Sequence, residues 1–182
     1  MFLTRLSDQV LRVETLLLKF FMAGVLGFIL LNVVTRSFSY ALYWVDEAAI
    51  YSMVWMVFVG MSVAVRNRQR IAVTILLDML AGKTRFLVNL VIDLIVFSFA
   101  LFLLWVSWIW YDPITLMNTG FDLEAFSSET FNFMYEEPTN TIGIPKYWVW
   151  LIIPTFAITT TLHGLTNLVE SLLSRKEQEA EE

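Results

Sequence analysis

The chain is predicted to be an all-α integral membrane protein with four transmembrane helices, and three observations predict it. Its 182 residues are 58% hydrophobic with a mean hydropathy of +0.67, beyond what a soluble domain of this size carries. Four apolar runs, at about 20–35, 43–65, 86–110 and 147–169, each approach the ~20 residues that cross ~30 Å of hydrocarbon. Threading them in order places ten of the twelve Lys and Arg on one side: Arg5, Arg12, Lys19, Arg66, Arg68, Arg70, Lys83, Arg85, Arg175 and Lys176. Arg36 and Lys146 fall on the other. The positive-inside rule makes the crowded side cytoplasmic, with both termini inside and the 112–145 loop outside. This predicts a multi-pass membrane protein, folded as a single membrane domain over 1–182.

Residues 2–17 set Phe2, Leu3, Leu6, Val10, Val13, Leu16 and Leu17 at helical spacing, with Arg5, Asp8, Arg12 and Glu14 between them. That pattern predicts an N-terminal interfacial amphipathic helix leading into the first span. The first span ends at Arg36, which can snorkel outward. A short turn through Ser37–Tyr40 follows, and the second span runs from Trp44, Asp46 and Glu47 to the basic 66–70 turn. Residues 71–81 are apolar but too short to cross, which predicts a short cytoplasmic interfacial helix. The third span carries Asp93 and ends in an aromatic belt of Trp105, Trp108, Trp110 and Tyr111; Tyr147, Trp148 and Trp150 give the fourth a matching belt. Pro154, one turn inside, is expected to kink or loosen that helix. The charged 174–182 tail reads as cytoplasmic, solvated and frayed.

The 112–145 loop interleaves Asp112, Asp122, Glu124, Glu129, Glu136 and Glu137 with Phe121, Phe126, Phe131, Phe133 and Tyr135. Aromatic content this high argues against a floppy linker. A partly ordered cap is expected, either covering its own helix ends or meeting a soluble partner.

The composition excludes several classes of function. Cys is absent, which removes disulfides, thiolate metal sites and a Cys nucleophile. The single His163 cannot supply the two ligands haem in a membrane bundle usually takes; a hydrogen bond to Thr159 or Thr160 is the simpler expectation. A net charge of −5 argues against nucleic acid as a partner. The mixed-charge start, with no small-residue cleavage site after the first run, argues against a cleaved signal peptide. No catalytic, metal or cofactor site is predicted.

Asp46 and Glu47 are the charges of most interest. An interfacial ion pair with Arg36, a contact to a larger membrane partner, and a proton or cation relay all remain open for them. The outer ends of two consecutive antiparallel helices would let Arg36 and Glu47 meet. Glu47, Tyr51, Trp55, Phe58 and Ser62 share one helical face, which suits either bundle packing or a partner surface. Asp93 lies roughly 12 Å into its span at 1.5 Å per residue and is expected to be neutral, hydrogen-bonded to Asn89 or to a hydroxyl elsewhere in the bundle.

The order of landmarks resembles the small membrane subunit, the DctQ-like component, of tripartite ATP-independent periplasmic (TRAP) transporters. Asn32-Val-Val-Thr-Arg36, Trp44-Val-Asp-Glu47, Phe58-Val-Gly60, Ala64-Val-Arg66 and a basic turn carry the resemblance, with Pro154 and the Thr-rich stretch behind it. The basic turn departs from the family's usual His-Ile followed three residues on by Asp, reading Arg70, Ile71 and Thr74. The outer loop is longer than the family leads one to expect, which implies a specialised outer face. The resemblance implies a non-catalytic scaffold subunit with three kinds of partner: a large elevator-type membrane subunit, a periplasmic solute-binding protein and the lipid bilayer. It implies symport of a carboxylate-type solute with sodium, the sodium held in the large subunit. Arg36, Trp44, Asp46, Glu47, Tyr51, Trp55, Phe58, Gly60 and Arg66 become candidate interhelix or subunit contacts, and Asp93 and His163 intramembrane polar residues. The rivals are a self-contained small channel or proton carrier, and a redox or membrane-enzyme anchor subunit.

Overall fold

A computed structural model of the chain describes residues 2–69 and 82–181, with 82–83 and 174–181 known by backbone alone. Three long helices and a fourth with a break near its start carry the four candidate spans. They are α1 (Phe2–Ser37), α2 (Tyr43–Arg66), α3 (Gly82–Tyr111) and the pair α6 (Tyr147–Trp150) and α7 (Ile152–Glu181). Between α3 and α6 lie two short helices, α4 (Pro113–Asn118) and α5 (Leu123–Thr130). The expected interfacial helix at 71–81, with Arg70, lies outside the described residues.

The helices form a row rather than a closed bundle. α1 packs along α2, α2 along α7, and α7 along α3, while α1 and α7 touch more sparsely. Among the described residues α3 has no substantial contact with α1 or α2. α7 is the hub: 44% of its apolar window is buried, against 11% for α2 and α3 and none for α1. Small residues explain the hub, because buried Ala157 and Ala100 and the glycine at 164 let backbones approach. A Cβ added at Gly164 would lie 3.3 Å from the Phe97 Cα of α3.

Two local expectations change, and the loosening expected from Pro154 takes the form of a break. The amphipathic stretch 2–17 is not a separate surface helix but the first turns of an unbroken α1, with Ser7 and Glu14 buried. Ser7 and Glu14 have partners on α7 and Asp8 on α2, while Arg5, Gln9 and Arg12 stay exposed. Pro154 produces a break one turn earlier, at Leu151, because its ring occupies the space of the carbonyl four residues back. As the third residue of α7 its missing N–H costs no internal bond. The 174–181 backbone stays helical rather than frayed.

Residues 112–146 fold into a cap over the loop end of the row. Asp112 caps α4 by accepting from the Thr115 N–H at 3.2 Å, with Pro113 pre-set for the first helical position. Asp122 caps α5 through the Glu124 and Ala125 N–H groups. Phe126, Met134 and Tyr135 then close a small core with Trp110, Tyr111, Leu116 and Tyr147. Asn132 donates to the Trp110 carbonyl at 2.7 Å and Tyr135 to that of Tyr111 at 2.6 Å, tying the cap to the end of α3. Burial, with the Asp112 carboxylate and Tyr147 adding, pushes the Tyr135 phenol above its ordinary pKa, so it stays a donor.

Candidate functional site

Polar side chains gather at the two ends of the row, and each end has its own arrangement. At the loop end, Arg36 on α1 donates to Asp46 on α2 at 2.8 Å and to Asn32 Oδ1 at 2.8 Å, while Asn32 also donates to Asp46. The expected pairing of Arg36 with Glu47 is therefore replaced by one with its neighbour. Adjacent residues on a helix point about 100° apart, and Asp46 is the one turned towards α1. Glu47 turns instead under the cap. Its carboxylate accepts from the backbone N–H groups of Asn140, Thr141 and Ile142 at 2.7, 2.7 and 3.1 Å. The hydroxyls of Thr141 and Tyr51 complete its shell at 2.5 and 2.6 Å. One buried carboxylate thus nails a loop 93 residues further along the chain. Gly143, at φ +82°, makes the tight turn that brings those N–H groups together.

At the basic end, Arg66 spans three elements. It holds Asp8 of α1 at 2.8 Å, and Asn167 and Glu170 of α7 at 2.9 Å. A second bond to Glu170 at 3.0 Å makes that pair bidentate, the geometry guanidinium suits best. Arg68 follows in left-handed backbone at φ +52°, where the chain leaves α2. The Gln69 N–H reaches the Ala64 carbonyl and the Arg68 N–H that of Val65, a Schellman stop whose usual glycine is replaced by arginine. The unfavourable backbone is offset by what the side chain reaches: the Asn167 carbonyl at 2.7 Å, Ser171 at 2.8 Å and buried Asp93 at 3.3 Å. Ser171 also donates to Asp93 at 3.0 Å. Asp93 thus meets a hydroxyl, as expected, and a guanidinium, which was not.

Between these ends, fully buried His163 lies 2.7 Å from Ser7 Oγ through Nδ1 and 2.9 Å from Glu14 through Nε2. The expected bond to Thr159 or Thr160 is not the one formed. Thr159 faces Ser62 at 2.9 Å instead. Ser, His and Glu are the residue types of a hydrolase triad, but Ser7 and His163 are fully enclosed, and the three groups bond α1 to α7. Beside them α1, α2 and α7 leave an apolar cleft of about 340 Å³, lined by Val13, Leu17, Trp55, Phe58 and Phe156 with Glu14 on its wall.

The aromatic face of α2 is largely used within the chain. Trp55 donates its indole N–H to the Val149 carbonyl at 3.0 Å and sets its ring 5.7 Å from Phe21. Phe58 packs edge-on against Phe156 at 5.3 Å. Gly60 admits Leu18 of α1. Trp44 meets Phe28 edge-on and stays part-exposed. Ser7, Asp8, Glu14, Arg68, Asn167, Glu170 and Ser171 were not singled out from the sequence. A signal existed in the spacing: Ser7 and Glu14 are two turns apart on one face, as are Asn167, Glu170 and Ser171 within one turn.

Asp46 and Glu47 thus secure a loop-end clamp, and Arg66 anchors a basic-end clamp, in the positions that the Arg36, Trp44–Glu47 and Phe58–Arg66 landmarks mark in the sequence. No curated protein matches the chain significantly. The family model described as "Tripartite ATP-independent periplasmic transporters, DctQ component" matches residues 25–174, and the chain belongs to that family of small TRAP-transporter membrane subunits.

Proposed function

We propose that this chain is the stationary scaffold of a sodium-coupled importer of a small carboxylate-bearing solute, and that it holds neither solute nor ion itself. In this reading an elevator-type large subunit moves the solute with sodium, after a soluble binding protein has delivered it. The supporting observation is that the buried charges among the described residues have partners inside the chain. Glu14 bonds His163, Arg66 bonds Asp8 and Glu170, Arg68 bonds Asp93, and Glu47 is enclosed by backbone N–H groups. A transport site needs groups that exchange partners with a passing solute, usually at broken helices near the bilayer midplane. The exposed apolar rows suit a broad scaffold: α1 shows Phe20, Leu26 and Ile29, and α3 shows Ile95, Phe99 and Trp105. Without a partner or lipid these rows would be exposed apolar surface.

The test is recovery of the large membrane subunit with the tagged chain after mild solubilisation. Near one-to-one recovery is expected, and purification of the chain alone from cells making both would defeat the proposal. The same reading keeps both termini cytoplasmic in the inner membrane, by the basic asymmetry. The chain is free of Cys, so an impermeant thiol reagent applied to intact cells should label Ser128→Cys and spare Gln178→Cys. The reverse pattern would invert the topology.

A further inference from the structure

The cap is well braced, yet it turns three of its phenylalanines away from its own core. Phe121 is 67% exposed, Phe131 82% and Phe133 58%. Phe121 and Phe131 bracket α5, and both hold left-handed backbone, at φ +64° and +55°. Left-handed backbone is unfavourable for a bulky side chain. Phe131 sits at the C-terminal stop of α5, the position glycine fits best. Between the two rings, α5 shows Glu124, Ala125, Ser128 and Glu129 on one exposed side, with Asp122 at its start. Among the described residues no cation pairs with Asp122, Glu124 or Glu129; the nearby Lys146 is taken by Glu137 at 2.6 Å.

Exposed aromatics framed by unpaired carboxylates on a rigid mount suit one of two counterparts. A phospholipid surface would accept the rings but would set the carboxylates against lipid phosphates of like sign. A soluble protein with a Lys/Arg-bearing face and an apolar recess satisfies both features, rings as anchors and carboxylates as steering charges. We propose that α5, with Phe121 and Phe131 at its ends, is the docking surface for the transporter's soluble extracytoplasmic component, whose matching face is basic with an apolar recess. This rests on the orientation above, which puts the cap outside.

The test uses the two membrane subunits reconstituted together in nanodiscs and the transporter's own soluble component, with binding measured at low and high salt. Phe131→Gly suits the left-handed backbone, so the cap keeps its protease resistance while affinity falls roughly tenfold. Glu124→Lys with Glu129→Lys slows association and flattens its salt dependence. Unchanged affinity in both variants would overturn the proposal. So would a photo-crosslinker at position 131 that labels phospholipid or the large membrane subunit and not the soluble component. Neither variant touches the membrane-spanning rows, so co-purification of the large subunit reports separately on the scaffold reading.

Discussion

Asp46 and Glu47 stand side by side at the start of α2, yet their surroundings differ sharply. Asp46 and Arg36 form a pair whose side chains are 42% and 61% exposed, a setting in which ion pairs contribute about 0–1 kcal/mol. Glu47 is buried and answers three backbone N–H groups and two hydroxyls. Removing it leaves the N–H groups of exposed Asn140 and Thr141 and half-buried Ile142 without the acceptor that gathers them. Glu47→Ala should therefore lower the melting temperature more than Arg36→Ala does and open 138–145 to protease, while Arg36→Ala costs under about 1 kcal/mol. Thermal unfolding in detergent and limited proteolysis measure both; equal losses from the two substitutions would mean Glu47 does not hold the cap. The sequence marked both carboxylates as unusual but paired Arg36 with Glu47, where the structure pairs it with Asp46. That choice depends on where Asn140, Thr141 and Ile142 bring their N–H groups, a placement set by the whole cap. Ser7 and His163 were equally hidden as partners, being 156 residues apart in the chain.

At the level of elements, hydropathy and charge located the four spans, because crossing a bilayer imposes a length that any apolar run must show. The pairing of those spans was less visible. α7 touches the other three long helices, while α3 meets only α7 substantially, since Ala100, Ala157 and Gly164 decide which helices can come close and apolar composition alone does not. The same contact makes a testable point. Gly164→Leu would drive a side chain into the Phe97 backbone, an overpacking that costs typically 1–3 kcal/mol. The expected result is a lower melting temperature and weaker α3–α7 disulfide crosslinking from introduced Cys pairs, with α1–α2 crosslinking unchanged. If crosslinking at both pairs survived intact, the close approach of α3 and α7 would not be a structural requirement. The cap's existence was legible from its aromatics, but its reach was not. Glu47 and the Trp110 and Tyr111 carbonyls show that it is fastened to α2 and α3 together.

For the whole molecule, clamps at both ends and a buried His163 cluster between them make a braced layer of helices. That is the property a fixed subunit needs if its partner moves against it. The layer's edges, α1 and α3, carry most of the exposed apolar side chains, and its loop end carries an ordered cap. In the proposed function such a layer supports transport without performing it. Solute uptake into liposomes tests this most directly, with a sodium gradient and the soluble component outside, comparing the chain alone, the large subunit alone and the two together. The expected result is no uptake with this chain alone and full uptake only with both membrane subunits present. Sodium-driven uptake by this chain without the large subunit would contradict the account.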